Sequence, residues 1–126
     1  MEIRRVVPNI RSDRLEESRA FYVDLLGFEV VMDLGWIVTV ASPNNPTAQI
    51  SLIRQDAAAP LQAQISVEVA DVDAVYAAMQ LHAEIEYPLT DESWGVRRFF
   101  VVDPNGVVVN VVSHHESSAP PTASKP

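Results

Sequence analysis

One order of elements occurs twice in this chain, and that repetition limits the folds open to it more than any other feature. Asp13 and Asp71, 58 positions apart, each open an amphipathic stretch that follows one strand-like run and precedes three more. In the first half, IRRVVPNI (residues 3–10) reads as a strand, and Pro8 confines it to an edge or a bulge because proline cannot donate to a ladder. Asp13 and Glu16 then make a D-x-x-E capping pattern. Leu15, Phe21, Tyr22, Leu25 and Leu26 form one apolar stripe, and Gly27 supplies the positive-φ stop, so a helix is expected up to about Leu26. FEVVMDL, Trp36 to Ala41 and Ala48 to Arg54 follow as strands, parted by Gly35 and the turn cluster SPNNPT.

The second half repeats this. AQISVEVA is a strand, and Asp71 caps a helix carrying Val72, Val75, Tyr76 and Met79 at i, i+3, i+4 and i+7. EIEYPLT, WGVRRFFVV and GVVVNVV come next as strands. A duplicated βαβββ unit is the consequence, an α+β fold in which two modules, about residues 3–54 and 63–113, form a curved mixed sheet. Each module alone leaves one sheet face bare, so pairing within a chain or between chains is expected to enclose a partly polar concavity. QDAAAPLQ (55–62) has the composition of a linker. Residues 1–113 are expected to form one domain and 114–126, rich in Pro, Ser and Ala, a disordered tail.

Composition narrows the function. At 126 residues with 48% hydrophobic and 21% charged residues, the chain suits one soluble globular domain. There is no cysteine, which removes thiolate metal sites, thiol catalysis and disulfides. A formal net charge of −8 disfavours nucleic acid, which needs a concentrated basic surface, and it can attract a cationic ligand. No apolar run reaches the ~18 to 20 residues that span a bilayer, and the N-terminus lacks a cleavage signal, so no membrane partner and a cytoplasmic location are expected.

Strand alternation sorts the faces. With Ile50 and Leu52 toward the first helix, Gln49, Ser51 and Ile53 face the concavity. With Ile65, Val67 and Val69 toward the second helix, Gln64, Ser66 and Glu68 face it, as does Asn110 with Val108 and Val112. Parity leaves the side of Trp36 open, because its strand is apolar on both faces. Asn110 is the one amide in a run of valines, either an ordinary buried amide satisfied by its neighbours or a ligand contact. Glu68 is the one acid of the inward set. As a general base it needs a raised pKa and a partner, and as a rim carboxylate it needs neither. His82 falls at the end of the second helix and His114 and His115 at the start of the tail, away from any catalytic cluster.

LEESRAFYVDLLGF (15–28) and FFVVDPNG (99–106) resemble the vicinal oxygen chelate superfamily, also called the glyoxalase, bleomycin-resistance and dioxygenase superfamily. The resemblance spans Arg4 to Ser113. Within it, VVPNI and WGVRRF (94–99) are most similar to the bleomycin-resistance branch, which implies a metal-free homodimer that sequesters a drug. Metal-dependent members carry His or carboxylate on four strands. The matching positions here are Val7 or Pro8, Ser51, Gln64 and Asn110, none of them an acid or an imidazole, so no metal and no cofactor are expected. Trp94 and Arg97 match the branch's W-G-x-R pattern and suit stacking on a planar ligand, with packing at a seam and a local ion pair as the alternative. Gln64 and Ser66 stand where bleomycin-resistance proteins tend to carry tryptophans, a departure for which Trp36 can compensate. The resulting expectation is metal-independent sequestration of a planar or cationic natural product, with Trp36, Gln49, Ser51, Gln64, Ser66, Glu68, Trp94, Arg97 and Asn110 lining the site and no catalytic residue. The alternative is an enzyme of the same superfamily, a lyase, isomerase or dioxygenase-like protein.

Overall fold

The structure, a computed structural model, describes residues 1–59 and 62–114. Eight strands and two helices are present among them, in mixed parallel and antiparallel pairing, the α+β class expected. In chain order they are β1 (Ile3–Arg11), α1 (Leu15–Ala20), β2 (Glu29–Asp33), β3 (Ile37–Ser42), β4 (Asn45–Ile53), β5 (Ile65–Val69), α2 (Val72–Met79), β6 (Glu84–Asp91), β7 (Val96–Val102) and β8 (Val108–His114). His114, expected in the tail, closes β8 instead, while residues 60, 61 and 115–126 lie outside the described residues.

The chain forms two compact units. One runs from Val7 to Gln62, and the other joins Met1–Val6 to the segment beginning at Ala63. The first pairs β2, β3, β4 and the second half of β1, with β1 parallel to β4 through Asn9↔Ser51 and Ile10↔Leu52. Leu15, Val38, Val40 and Leu52 form its core under α1, and Tyr22, Val23, Phe28, Val30 and Ile50 pack around them.

α1 departs from the expected single helix. Phe21–Leu25 is a wide π-helical turn, Leu26 N donating to Phe21 O at 3.2 Å. It ends on an αL cap, Gly27 at φ 90°, whose N donates to Val23 O at 3.2 Å, while Phe28 N donates to Tyr22 O at 3.0 Å across the widened turn. The expected Asp13 cap does not form. Arg14 N donates to Ser12 Oγ at 3.0 Å, and the Asp13 carboxylate is drawn to Arg11 at 3.5 Å. Arg14 occupies the N-cap position and makes no side-chain cap bond, which leaves Asp13 outside the helix start.

The second unit pairs β5, β8, β7 and β6. Here Asp71 does cap α2, its Oδ1 accepting from Ala74 N at 3.1 Å. Val69, Val72, Val75, Phe99, Val101 and Val111 make the core beneath α2. Phe99 is fully buried, worth ~1.5–3 kcal/mol relative to exposure. The DPNG turn sets the β7–β8 register. Asp103 Oδ1 accepts from Asn105 N at 2.8 Å and Val107 N at 2.9 Å, and Gly106 takes φ 83°. That register puts Phe100 opposite Asn110 and Arg98 opposite Val112.

Candidate functional site

In both units the buried polar side chains of the sheet lie on the face turned from the helix, as alternation requires. In the Val7–Gln62 unit this face holds Gln49, Ser51 and Thr39. Ser51 and Thr39 are cross-strand partners whose hydroxyls share a hydrogen bond of 2.8 Å, both fully buried. Gln49 is buried too, its Nε2 donating to Pro46 O at 2.8 Å. Trp36 packs on Met32, Ile37 and Ile53, so it takes the Ser51 side. Of Val7 and Pro8, Val7 is the one that shares the face of Asn9 and Ser51, and it is buried while Pro8 is exposed.

The other unit carries more varied chemistry. Ser66 pairs with Asn110, Asn110 with Phe100, and Phe100 with Tyr87, one row across β5, β8, β7 and β6. Asn110 Nδ2 donates to Ser66 Oγ at 3.0 Å. Asn110 Oδ1 has no partner, although the residue is only 8% exposed. A buried acceptor left open costs ~1–3 kcal/mol unless a water or a ligand donor meets it.

In the next row Arg98 stands on the same face. Its guanidinium carbon lies 5.0 Å from the ring centroids of Trp94 and Phe100 and 5.4 Å from that of Tyr87. Glu92 Oε2 accepts from Arg98 Nε at 2.7 Å and from the Tyr87 hydroxyl at 2.8 Å. Burial first, then the hydrogen bond and charge of Glu92, raise the Tyr87 phenol above its ordinary value. The sequence pattern picked out Arg97, yet Arg97 points to the α2 side, where it pairs with Asp73 at 2.9 Å and Asp91 at 3.1 Å. A one-residue step along a strand reverses the face, which is why the motif position and the facing residue differ. The buried arginine was missed because RR offers two cations and only register tells them apart.

Glu68 does not stand alone on a rim. Its carboxylate accepts from Arg5 Nε at 2.6 Å and is bonded to His114 Nδ1 at 2.8 Å. Burial pushes this carboxyl up, but the His114 hydrogen bond, the Arg5 and His114 charges and the Arg5 hydrogen bond outweigh it and hold it below the usual range. That direction is wrong for a general base near neutral pH. Gln64 is exposed and sits just before β5, its Oε1 accepting from Val108 N at 3.0 Å, so this amide is spent on the β5–β8 pair rather than turned inward. His82 is exposed in the turn after α2, and His115 lies outside the described residues.

The four metal-ligand positions implied by the resemblance hold an apolar side chain, a hydroxyl bonded to Thr39, an amide bonded to backbone and an amide bonded to Ser66. Such donors do not fit a catalytic transition metal. Among the described residues no group of three His, Asp or Glu converges. No helix is long and apolar enough to cross a membrane.

Residues 3–111 match the family model for the Glyoxalase/Bleomycin resistance protein/Dioxygenase superfamily. The chain belongs to that superfamily. Among solved structures, a superfamily member from Vibrio splendidus 12B01 is 24% identical, with 88% of this chain and 98% of that one aligned at a TM-score of 0.69. Methylmalonyl-CoA epimerase from Mycobacterium tuberculosis is 19% identical over 91% of this chain and 89% of its own, at 0.67. The Mn(II)-bound glyoxalase from Novosphingobium aromaticivorans is 20% identical over 94% of this chain and 42% of its own, at 0.60. At these identities the likeness shows the fold alone, and its holders include enzymes. No curated protein matches the chain.

Proposed function

We propose that this superfamily member binds a planar small molecule without a metal, holding it rather than transforming it, as a resistance-type sequestering protein does. The observation that carries the reading is Asn110, whose buried Oδ1 is an open acceptor at the position where metal-dependent relatives place a ligand. Asn110 takes a hydrogen bond from an N–H or O–H of the ligand, Ser66 orients the amide, and Trp94, 5.0 Å from the Arg98 guanidinium, supplies flat surface. Glu68 is committed to Arg5 and His114, which supports binding over proton abstraction. A homodimer in the cytoplasm accompanies this reading through the likeness of WGVRRF and VVPNI to the bleomycin-resistance branch.

A thermal-shift panel tests it, with divalent metals, EDTA, bleomycin-type glycopeptides, enediynes, mitomycins and 2-oxo acids. A ligand at ~100 times its dissociation constant stabilises by roughly 2.7 kcal/mol, a shift of several degrees. A natural product that stabilises the protein with and without EDTA, and loses its effect in Trp94→Ala and Asn110→Leu, supports sequestration. A metal that stabilises, reversed by EDTA, overturns it. Light scattering decides the dimer.

A further inference from the structure

We infer that Arg98 fills a cation slot made by Tyr87, Trp94 and Phe100, and thereby makes the adjoining ligand site one for planar neutral or anionic molecules. The inference rests on the ligand-binding reading of this face and departs from the cationic ligand that the net charge of −8 suggests.

Three aromatic rings around one positive group, with a carboxylate beside it, is the arrangement by which proteins recognise ammonium and guanidinium ligands. Here the chain supplies the cation itself. All three ring centroids lie within the ~6 Å over which a cation is attracted to a ring face. The slot is dry, since the Arg98 and Glu92 side chains are 6% and 7% exposed. Glu92 is engaged as well, its Oε2 shared between Arg98 and the Tyr87 hydroxyl. A ligand cation approaching Trp94 meets ring faces already directed at a guanidinium, and like charge repels it. A neutral or anionic plane meets no such cost. The acidic surface as a whole favours cations, so the local preference has the opposite sign and can be separated from it by salt, which screens the surface far more than the buried pair.

Two measurements test this. The first needs no ligand. Arg98→Ala empties the slot, and millimolar methylguanidinium or tetramethylammonium is expected to recover part of the lost thermal midpoint while leaving the wild type unmoved. Recovery by neither cation beyond what sodium chloride gives overturns the slot. The second titrates the planar anion pyrenesulfonate and the planar cation proflavine in high salt, following dye fluorescence. The wild type is expected to bind pyrenesulfonate roughly tenfold more tightly, and Arg98→Met to gain roughly tenfold for proflavine. Proflavine binding as tight as pyrenesulfonate in the wild type, unchanged in Arg98→Met, overturns the ligand class. Dye binding that ignores Trp94→Ala overturns the ligand reading of the face and the ligand class with it, while recovery by methylguanidinium still decides the slot. If Arg98→Ala does not fold, Arg98→Met with the dye pair decides alone.

Discussion

The two units repeat one topology, yet their polar sheet faces have opposite characters. In the Val7–Gln62 unit each buried polar group is answered nearby, Ser51 by Thr39 and Gln49 by Pro46. In the unit built on β5–β8, Glu92 and Arg98 form a buried ion pair, Glu68 holds Arg5 and His114, and Asn110 keeps an acceptor open. A shared order of strands and helix therefore leaves the chemistry of each face free to differ. One face has settled into self-satisfied packing, and the other keeps the desolvated charge and the unmet hydrogen bond that a binding site needs.

The largest expected break in the comparison is at Glu92. Glu92→Leu leaves the Arg98 guanidinium buried without its carboxylate, and urea unfolding should show a loss of about 3–5 kcal/mol. The matching change on the α2 side, Asp73→Asn, disturbs an exposed pair with Arg97 and should be hard to distinguish from wild type. Equal effects would mean that the buried pair is not a special feature of its face.

A smaller contrast separates the two hydroxyl and amide positions. Ser51→Ala strands the Thr39 hydroxyl and is expected to cost about 1–3 kcal/mol, most of it restored by the double change with Thr39→Val. Asn110→Leu, by contrast, removes an acceptor that already lacks a partner and with it only the Nδ2 bond to Ser66, so it is expected to cost less than Ser51→Ala, about 1 kcal/mol or less, while ligand binding is lost. A strongly destabilised Asn110→Leu, measured by the same unfolding curves, would place Asn110 with Ser51 as a packing residue.

The helix starts differ by less again. Asp71→Ala should lose about 1 kcal/mol with its bond to Ala74, whereas Asp13→Ala should lose nothing measurable, since Ser12 accepts from Arg14 and Asp13 makes no cap bond. Asp13 and Asp71 look alike as letters, and both have a helix-forming segment after them. Which of Ser12 and Asp13 reaches the helix start depends on backbone angles that no spacing rule contains. The same limit explains Arg97 and Arg98. The period of two made Ser66, Glu68 and Asn110 legible, and with them the α+β repeat, because hydrophobic alternation in ISVEV and VVVNVV can run only one way over a helix. It was silent on RR, where both neighbours are charged, and on Gln64, which precedes its strand and spends its amide on Val108. His114 borders the Pro-, Ser- and Ala-rich stretch and reads as part of it, because the Glu68 partner that holds it in β8 is 46 residues away.

The finest test is the pH dependence of Glu68. Its folded pKa lies below the ordinary 4.5, so its contribution to stability is full above that value and is lost as the pH falls through the lower folded value. Well above 4.5 both states hold an ionised carboxylate and no slope arises from this residue. Below it the unfolded chain takes up the proton first, so stability falls with falling pH. Glu68→Gln cannot titrate and should flatten that part of the profile in urea unfolding between pH 5 and 3, roughly the range in which carboxylates titrate. No carboxylate lies in the Thr39–Ser51–Gln49 set, so Ser51→Ala should shift the profile without changing its slope. A slope unchanged in Glu68→Gln would show that Arg5 and His114 do not hold the carboxylate, and would return Glu68 to the role of a free acid on this face.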